Sequence, residues 1–234
     1  DLQLDPGPDS DAFAPVLCTD GASDSVYAVW YDDRNGDGND IYASWSRDGG
    51  LGWSGAVRLE VDAPGFGDSV SPACVADGDT AHVVWRDQAA PGEGTDIWYR
   101  AVVAGIPGGD PVRVDTGRPA GHSNSIAPTV VRDADKLLIG WLDDRGSVEQ
   151  GIEGYDDLYY NWSEAGRPFG ATDARIDSMP DGASYKDDLQ LGLIGNRWYA
   201  AWTDGREGTK DIWFQSFALG EQGEARPDEP PPGR

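Results

Sequence analysis

The chain has 234 residues, of which 42 are acidic and 18 are basic, giving a net charge of −24. A surface of that sign repels phosphate backbones and anionic lipids, so nucleic acid is not an expected partner. No apolar run approaches the roughly 20 residues of a membrane span, so membrane insertion is not expected either. Ten tryptophans and nine tyrosines nevertheless supply enough apolar surface for a packed core.

The two ends of the chain and its cysteines bear on its location. Cys18 and Cys74 could form one disulfide in an exported protein or remain two buried thiols. The opening "DLQLDPGPDS" has no signal peptide and is typical of a mature or trimmed domain. Residues 223–234 are Pro-rich and polar, as linkers are. We predict a secreted or cell-surface protein.

A motif that recurs four times organises the chain. Each copy ends an aromatic-rich run with a Trp and, two residues later, an Asp, and an Asp-apolar-aromatic triplet follows. The tryptophans are Trp30, Trp85, Trp141 and Trp202, which are spaced by 55, 56 and 61 residues. The runs carry apolar residues on both faces and are bounded by Gly and Asp turns, which predicts buried strands. Four strands in about 55 residues is the size of a β-propeller blade.

The predicted units span residues 12–62, 70–116, 126–178 and 186–220, and we letter their strands A to D. The D strands read VRLE, VRVD and ARID, and the N-terminus supplies a related LQLD. Their central apolar residues, Leu59, Val114, Ile176 and Leu4, precede the repeated tryptophan of the next unit by 26 or 27 residues. The fourth unit has no clean D strand, because Pro227 lacks an N–H donor.

The sequence therefore predicts an all-β fold, a four-bladed β-propeller of residues 1–222. The N-terminal strand, residues 1–6, is expected to complete the last blade and close the ring, which removes open sheet edges. A fragment of a larger propeller and a ring shared by two chains are the alternatives. We expect a monomer, with pairing of two chains as the other possibility.

The segment Ser46-Arg47-Asp48-Gly49-Gly50-Leu51-Gly52-Trp53, together with the W-x-D-x-R and D-I-Y motifs, resembles the BNR/Asp-box repeats of sialidase-like propellers. In that family the Asp box is a turn on the face opposite the active site. The resemblance therefore implies that Asp48 caps backbone N–H groups and that Trp53 packs between blades. In blade count the chain is similar to hemopexin-type four-bladed propellers, which are binding modules.

Three arginines and two aspartates are the candidate ligand-binding residues. Arg34, Arg145 and Arg206 follow the repeated Asp by two residues, in loops that match those of the sialidase arginine triad. An ion pair between each Arg and that Asp, which would stiffen the loop, is the simpler interpretation. Asp187 and Asp188 replace the Ala-Pro or Ser-Pro entry of the other A strands and are predicted to lie at the mouth of the central channel.

One stretch of the first unit matches half of a calcium-binding loop. Asp33, Asn35 and Asp37 alternate around a glycine turn, and Asp40 could close the site. Calcium prefers six to eight oxygen ligands, which such a string supplies. The other three units lack the string. Ca²⁺ is therefore the one cofactor considered, with a plain Gly/Asn/Asp turn as the alternative.

The loops on one predicted face are long and acidic, which leads to the functional expectation. We predict a non-catalytic extracellular binding or adhesion module that presents this face to a protein or glycan ligand. We expect no enzymatic activity, because neither His82 nor His122 lies in a zinc-ligand spacing and no nucleophile motif is present. The alternatives are a sialidase-like glycoside hydrolase or carbohydrate-binding propeller, and a structural spacer of a larger surface protein.

Overall fold

The structure, a computed structural model, describes residues 1–5, 10–36, 38–88, 94–151, 155–164 and 167–218, and the backbone of residues 226–227. These residues form four antiparallel sheets that follow one another along the chain. The order of strands within each sheet is their order in the sequence, except that the fifth strand of the second sheet pairs with its third strand. This is the arrangement of successive propeller blades.

The strands of each sheet agree with the repeat in the sequence. Sheet one contains β1 (Ala12–Cys18), β2 (Val26–Asp32), β3 (Asp40–Ser46) and β4 (Val57–Arg58). Sheet two contains β5 (Asp68–Asp77), β6 (Thr80–Gln88), β7 (Asp96–Val103), β8 (Ile106–Pro107) and β9 (Val112–Arg113). Sheet three contains β10 (Ser125–Asp133), β11 (Lys136–Asp143), β12 (Asp157–Glu164) and β13 (Ala174–Arg175). Sheet four contains β14 (Lys186–Ile194), β15 (Arg197–Asp204), β16 (Asp211–Ala218) and β17 (Arg226–Pro227).

A single helix occurs in the described residues, α1 (Arg145–Gln150), in the long loop between β11 and β12. The sequence did not predict it, because one helical turn and a half leaves no recognisable period. No helix of the described part of the chain is long and apolar enough to cross a bilayer.

The apolar core lies between successive sheets rather than within them, and we call the three contacts junctions one, two and three. At each junction the central residue of a D strand shares a buried cluster with the tryptophan of the next sheet. The pairs are Leu59 with Trp85, Val114 with Trp141 and Ile176 with Trp202. The spacing of 26 or 27 residues in the sequence therefore corresponds to a packing contact.

An ion pair accompanies the apolar contact within each of the first three sheets. The arginine of the D strand binds the aspartate that begins the third strand. The pairs are Arg58 with Asp40 at 2.8 Å, Arg113 with Asp96 at 3.1 Å and Arg175 with Asp157 at 2.6 Å. The three aspartates are buried. Breaking a buried pair on one side is costly, so these contacts hold the short D strand in register.

A disulfide between Cys18 and Cys74 joins sheet one to sheet two. Cys18 is the last residue of β1 and Cys74 lies in β5, with their Cα atoms 5.8 Å apart. The structure thus selects the bonded alternative of the two left open by the sequence.

The predicted closure of the ring by residues 1–6 is not found among the described residues. Residues 1–5 form no strand, and Leu4 instead packs against a cluster of sheet one that contains Trp30 and Tyr42. Sheet four takes its last strand from β17, so Pro227 does belong to a strand. A two-residue ladder at an edge tolerates a proline, because it requires few donors. The remainder of the predicted tail, residues 223–234, lies outside the described residues.

Replacing both Cys18 and Cys74 by alanine should lower the free energy of unfolding by about 4 kcal/mol, because the bond closes a loop with a sequence separation of 56 residues. Urea unfolding of the variant and the parent measures the difference. The parent under reducing conditions should unfold at the same urea concentration as the variant. Coincident transitions of the variant and the oxidised parent would contradict the prediction.

Candidate functional site

The A strand of every sheet is interrupted by a β-bulge at the same place. In all four A strands the pairing register shifts, and one non-glycine residue within the shift has a positive φ. These residues are Ala14 (φ 45°), Ser71 (φ 55°), Ala127 (φ 48°) and Asp188 (φ 55°). Such a backbone conformation is disfavoured for residues with a side chain and tends to occur where the fold needs it for function. In the sequence its only trace is the Ala-Pro or Ser-Pro entry.

Three of these bulges surround one cavity of about 330 Å³. It is lined by Ser71-Pro72, Ala127-Pro128-Thr129 and residues 187–190 of sheet four. Asp187 and Asp188 are the only charged side chains among these lining residues. The structure therefore brings the two aspartates to the place where A strands converge, and their role as ligand-binding residues stays a prediction.

The two aspartates have different surroundings. Asp187 accepts a hydrogen bond from the Tyr185 hydroxyl at 2.5 Å, and Lys210 lies over the ring of that tyrosine. Asp188 is exposed and accepts a longer hydrogen bond, 3.3 Å, from the Thr203 hydroxyl. Asp188 is thus the carboxylate that is freer to meet a ligand in the cavity.

A third carboxyl group, Asp156, does not line the cavity but interacts electrostatically with Asp187. It ends the loop that contains α1 and directly precedes β12. The pKa of Asp156 is raised to about 6, chiefly by burial and also by the negative charges of neighbouring carboxylates, Asp144 and Asp187 among them. Sequence reasoning missed Asp156 because it stands beside the repeated Asp157. The signal was available by comparing units, since Asn39, Thr95 and Lys210 occupy the corresponding position in the other three.

These carboxyl groups make acid–base chemistry possible at this end of the cavity. A carboxyl group with a pKa near 6 retains its proton over part of the physiological range and can donate it. An acid held protonated beside a second carboxylate is the pairing that glycoside hydrolysis uses.

The three predicted ligand-binding arginines are engaged within their own sheets. Each guanidinium pairs with the aspartate two residues earlier and stacks on an aromatic ring of the third strand. The pairs are Arg34 with Asp32, Arg145 with Asp143 and Arg206 with Asp204, and the rings are those of Tyr42, Tyr159 and Trp213. Arg145 is buried and also binds Asp173 at 2.8 Å. An anionic ligand would have to displace these contacts, so ligand binding by the arginines stays a prediction without support from their geometry.

Sheet two lacks this arginine, because Ala89 stands two residues after Asp87 in its sequence. Asp87 is buried, and its Oδ1 has no hydrogen-bond partner among the described residues. Across junction one, Oε2 of the buried Glu60 also lacks such a partner, although Arg58 Nε lies 3.4 Å away. Burial raises the pKa of Glu60 to about 8 and that of Asp87 to about 6.

The predicted calcium residues are largely committed to other contacts. Asp33 accepts a hydrogen bond from the backbone of Asp11 at 2.9 Å, and Asn35 donates to Asp40 at 2.7 Å. Asp40 is the buried partner of Arg58. Asp37 lies outside the described residues. In the part of the chain that the structure describes, no group of three or more acidic, His or Cys side chains could hold a metal. Calcium binding by this stretch stays a prediction.

The Asp-box segment is a tight turn between β3 and β4, with Gly49 and Gly50 at positive φ. Asp48 accepts a hydrogen bond from the Gly52 backbone at 2.8 Å, and Ser46 accepts one from Gly50 at 2.8 Å. Trp53 packs on the Trp30 cluster of its own sheet, not between two sheets as expected. These contacts make Asp48 a turn-forming residue.

No family model and no curated protein matches this chain. Several solved structures are similar to it in fold. An exo-1,5-α-L-arabinanase from a bovine ruminal metagenomic library is 13% identical with a TM-score of 0.55, over 93% of this chain and 78% of that chain. A thermostable family-43 glycoside hydrolase is 12% identical with a TM-score of 0.54, over 96% and 77% of the two chains. The GH93 α-L-arabinofuranosidase of Fusarium graminearum, solved with arabinobiose, is 13% identical with a TM-score of 0.55, over 89% and 62%.

These similarities show an all-β, propeller-type fold. They do not single out the BNR/Asp-box sialidases, and the blade count of four stays a prediction. The prediction of a non-catalytic binding or adhesion module is wrong, as is the expectation that the chain is not an enzyme. The solved structures that share the fold are glycoside hydrolases, which favours the alternative that the sequence left in second place.

The raised carboxyl pKa values at junction one predict that stability falls as pH rises. Because the folded chain keeps protons on Glu60 and Asp87 that the unfolded chain releases, the free energy of unfolding should decrease between about pH 4.5 and pH 8. Each retained proton contributes a slope of at most about 1.4 kcal/mol per pH unit. Urea unfolding at half-unit pH intervals measures this slope.

Glu60→Gln should flatten the dependence between pH 6 and pH 8, whereas the matched change at the exposed Glu207 should leave it as in the parent. A Glu60→Gln variant with the parental slope would show that the proton resides elsewhere.

Proposed function

We propose that this protein is a glycoside hydrolase whose active site lies where the A strands converge. The observation that carries the proposal is the pair Asp187 and Asp188 in the lining of the cavity, with Asp156, whose pKa is raised to about 6, near enough to Asp187 for their charges to interact. Cleavage of a glycosidic bond requires an acid for the leaving oxygen and a carboxylate for the anomeric centre or the attacking water. The glycoside hydrolase neighbours support the same reaction class.

In this proposal each carboxyl group has a separate role. Asp156 is the general acid, because burial and neighbouring charge favour its protonated form. Asp188 is the base or nucleophile, because it is exposed in the cavity and holds only a long hydrogen bond to Thr203. Asp187 is a positioning residue: its charge helps to keep the proton on Asp156, and Tyr185 fixes its orientation.

The substrate class that we propose is an arabinose-containing glycan. Two of the enzymes with this fold are an arabinanase and an arabinofuranosidase, and the second was solved with arabinobiose. A sialic acid substrate has less support, because the three candidate arginines already hold buried carboxylates. We further propose that the protein works in an oxidising compartment outside the cytosol, which the bond between Cys18 and Cys74 favours.

The parent should release reducing sugar from arabinan or cleave an aryl α-L-arabinofuranoside, with kcat falling as pH rises above about 6 because Asp156 loses its proton. Asp156→Asn and Asp188→Asn should each lower kcat at least about 100-fold while the thermal unfolding temperature stays near that of the parent. Asp187→Asn should retain more activity and move the alkaline limb of the pH profile to lower pH.

Asp135→Asn is the matched control, because Asp135 is an exposed carboxylate in the turn between β10 and β11, and it should behave as the parent. A panel that includes arabinan, xylan and an aryl sialoside tests the substrate class separately from the reaction class. Turnover of any glycoside that survives both Asp156→Asn and Asp188→Asn would overturn the assignment of the site, and turnover of the sialoside alone would overturn the substrate.

A further inference from the structure

The three junctions share one hydrogen-bond pattern between the D strand and the third strand of the same sheet. The central D-strand residue donates its N–H to the carbonyl of the residue that follows the aspartate at the start of the third strand. The bonds are Leu59 to Ile41 at 2.9 Å, Val114 to Ile97 at 2.8 Å and Ile176 to Leu158 at 2.8 Å. At junctions one and three the following carboxylate accepts in return, Glu60 from the Ile41 N–H and Asp177 from the Leu158 N–H.

In each of the first three sheets, the D strand and the next sheet together bury one residue of the third strand completely. Ile41, Ile97 and Leu158 are each 0% exposed. The corresponding residue of sheet four is Ile212, which follows Asp211 at the start of β16. Ile212 is 77% exposed. Phe214, two residues further along β16, is 62% exposed. Sheet four therefore leaves exposed the apolar face that is buried in the other three sheets.

The last strand of sheet four does not fill the position of a D strand. β17 pairs with Phe217 and Ala218, near the end of β16. In sheet two those positions correspond to the pairing of β8 with Val102 and Val103, whereas the D strand β9 pairs with Trp98 and Tyr99. In the described part of the chain, the edge of β16 beside Trp213 and Phe214 has no partner strand.

A segment with a D-strand sequence that forms no ladder in the described part of the chain lies at residues 2–5. Residues 2–5, LQLD, align with VRLE of β4 and its continuation. Leu4 packs on the Trp30 cluster of sheet one in the way that Leu59 packs in the Trp85 cluster of sheet two. The segment thus makes the contact that a D strand makes with the following sheet, but not the ladder that a D strand makes with its own sheet.

We propose that residues 2–5 of one chain pair with β16 of a second copy, so that sheet one of the first chain packs on sheet four of the second. The new junction repeats the three internal ones: Leu4 donates to the Ile212 carbonyl, Asp5 accepts from the Ile212 N–H, and Gln3 reaches Asp211. It covers an exposed apolar face and an open strand edge, two features that favour association.

The structure favours a second copy over closure within one chain. The N-terminal segment is already seated on its own sheet one, while Ile212 of the same chain stays exposed. Pairing with a second copy covers Ile212 and leaves the N-terminal segment seated on sheet one. The contact is head-to-tail, because different surfaces of the two chains meet, so it joins two or more copies. This inference does not depend on the proposed activity.

Cysteine trapping tests the register. The internal ladders pair Val57 with Ala43, Val112 with Tyr99 and Ala174 with Tyr160, and the corresponding pair is Leu2 with Phe214. Directly paired residues of antiparallel strands lie close enough for a disulfide. The variant carrying both Leu2→Cys and Phe214→Cys should form species of two or more chains on a non-reducing gel, which return to one chain on reduction. The native cysteines are bonded to each other and serve as an internal reference.

The matched control carries Leu2→Cys and Leu51→Cys, because Leu51 is 87% exposed in the Asp-box turn, away from β16. Its yield of linked chains sets the background from random collision. A disulfide between positions 2 and 214 of the same chain would overturn the proposal in favour of self-closure. Free thiols, or a yield of linked chains no higher than the background, would overturn it outright.

Light scattering of the unmodified protein gives an independent reading. The mass should correspond to two or more chains, and Ile212→Glu combined with Phe214→Glu should reduce it to one chain while the circular-dichroism spectrum stays that of the folded parent. A mass of one chain for the parent over the full range of soluble concentrations would contradict the proposal.

Discussion

The structure depends on the ion pair between the D-strand arginine and the aspartate that starts the third strand. In sheet three, Arg175 binds Asp157 and also the carboxylate of Asp177, two residues further along its own strand. One guanidinium therefore fixes the register of a strand whose ladder is only two residues long. The apolar residue between them, Ile176, is then directed into the next sheet. Register within a sheet and packing between sheets are thus set by the same three residues.

Variations on this contact explain how the junctions differ. Junction three gains a fully buried cation, because Lys186 binds Asp157 at 3.0 Å and replaces the small Ser69 and Ser125 of the other sheets. Junction one is short of one cation, because sheet two has no arginine after Asp87. A proton is the simplest substitute, and the raised pKa values of Glu60 and Asp87 reflect it. A regular backbone therefore carries an uneven distribution of charge.

The repeat in the sequence was sufficient to locate the sheets. The tryptophan motif ends each second strand, the Asp-apolar-aromatic triplet begins each third strand, and the 26-residue spacing marks the packing of Leu59 and its counterparts. The sequence could not identify the sheet that residues 2–5 join. A D-strand sequence indicates the type of sheet that it can extend, but not whether that sheet belongs to the same chain or to another. Asp156 was missed because its pKa arises from burial and from Asp144 and Asp187, which the fold brings close from distant positions.

The four bulges separate the chemistry of the cavity from the stability of the fold. The residue at positive φ leaves the ladder of its strand, so its side chain is released from the cross-strand packing that constrains its neighbours. Ser71, Ala127 and Asp188 hold equivalent places around the cavity, yet one is neutral and polar, one apolar and one charged. Aspartate and asparagine tolerate this backbone conformation better than most residues. A charged or polar group could therefore be installed at position 71 or 127 with little change to the sheets, so the chemistry of the cavity can be altered one residue at a time.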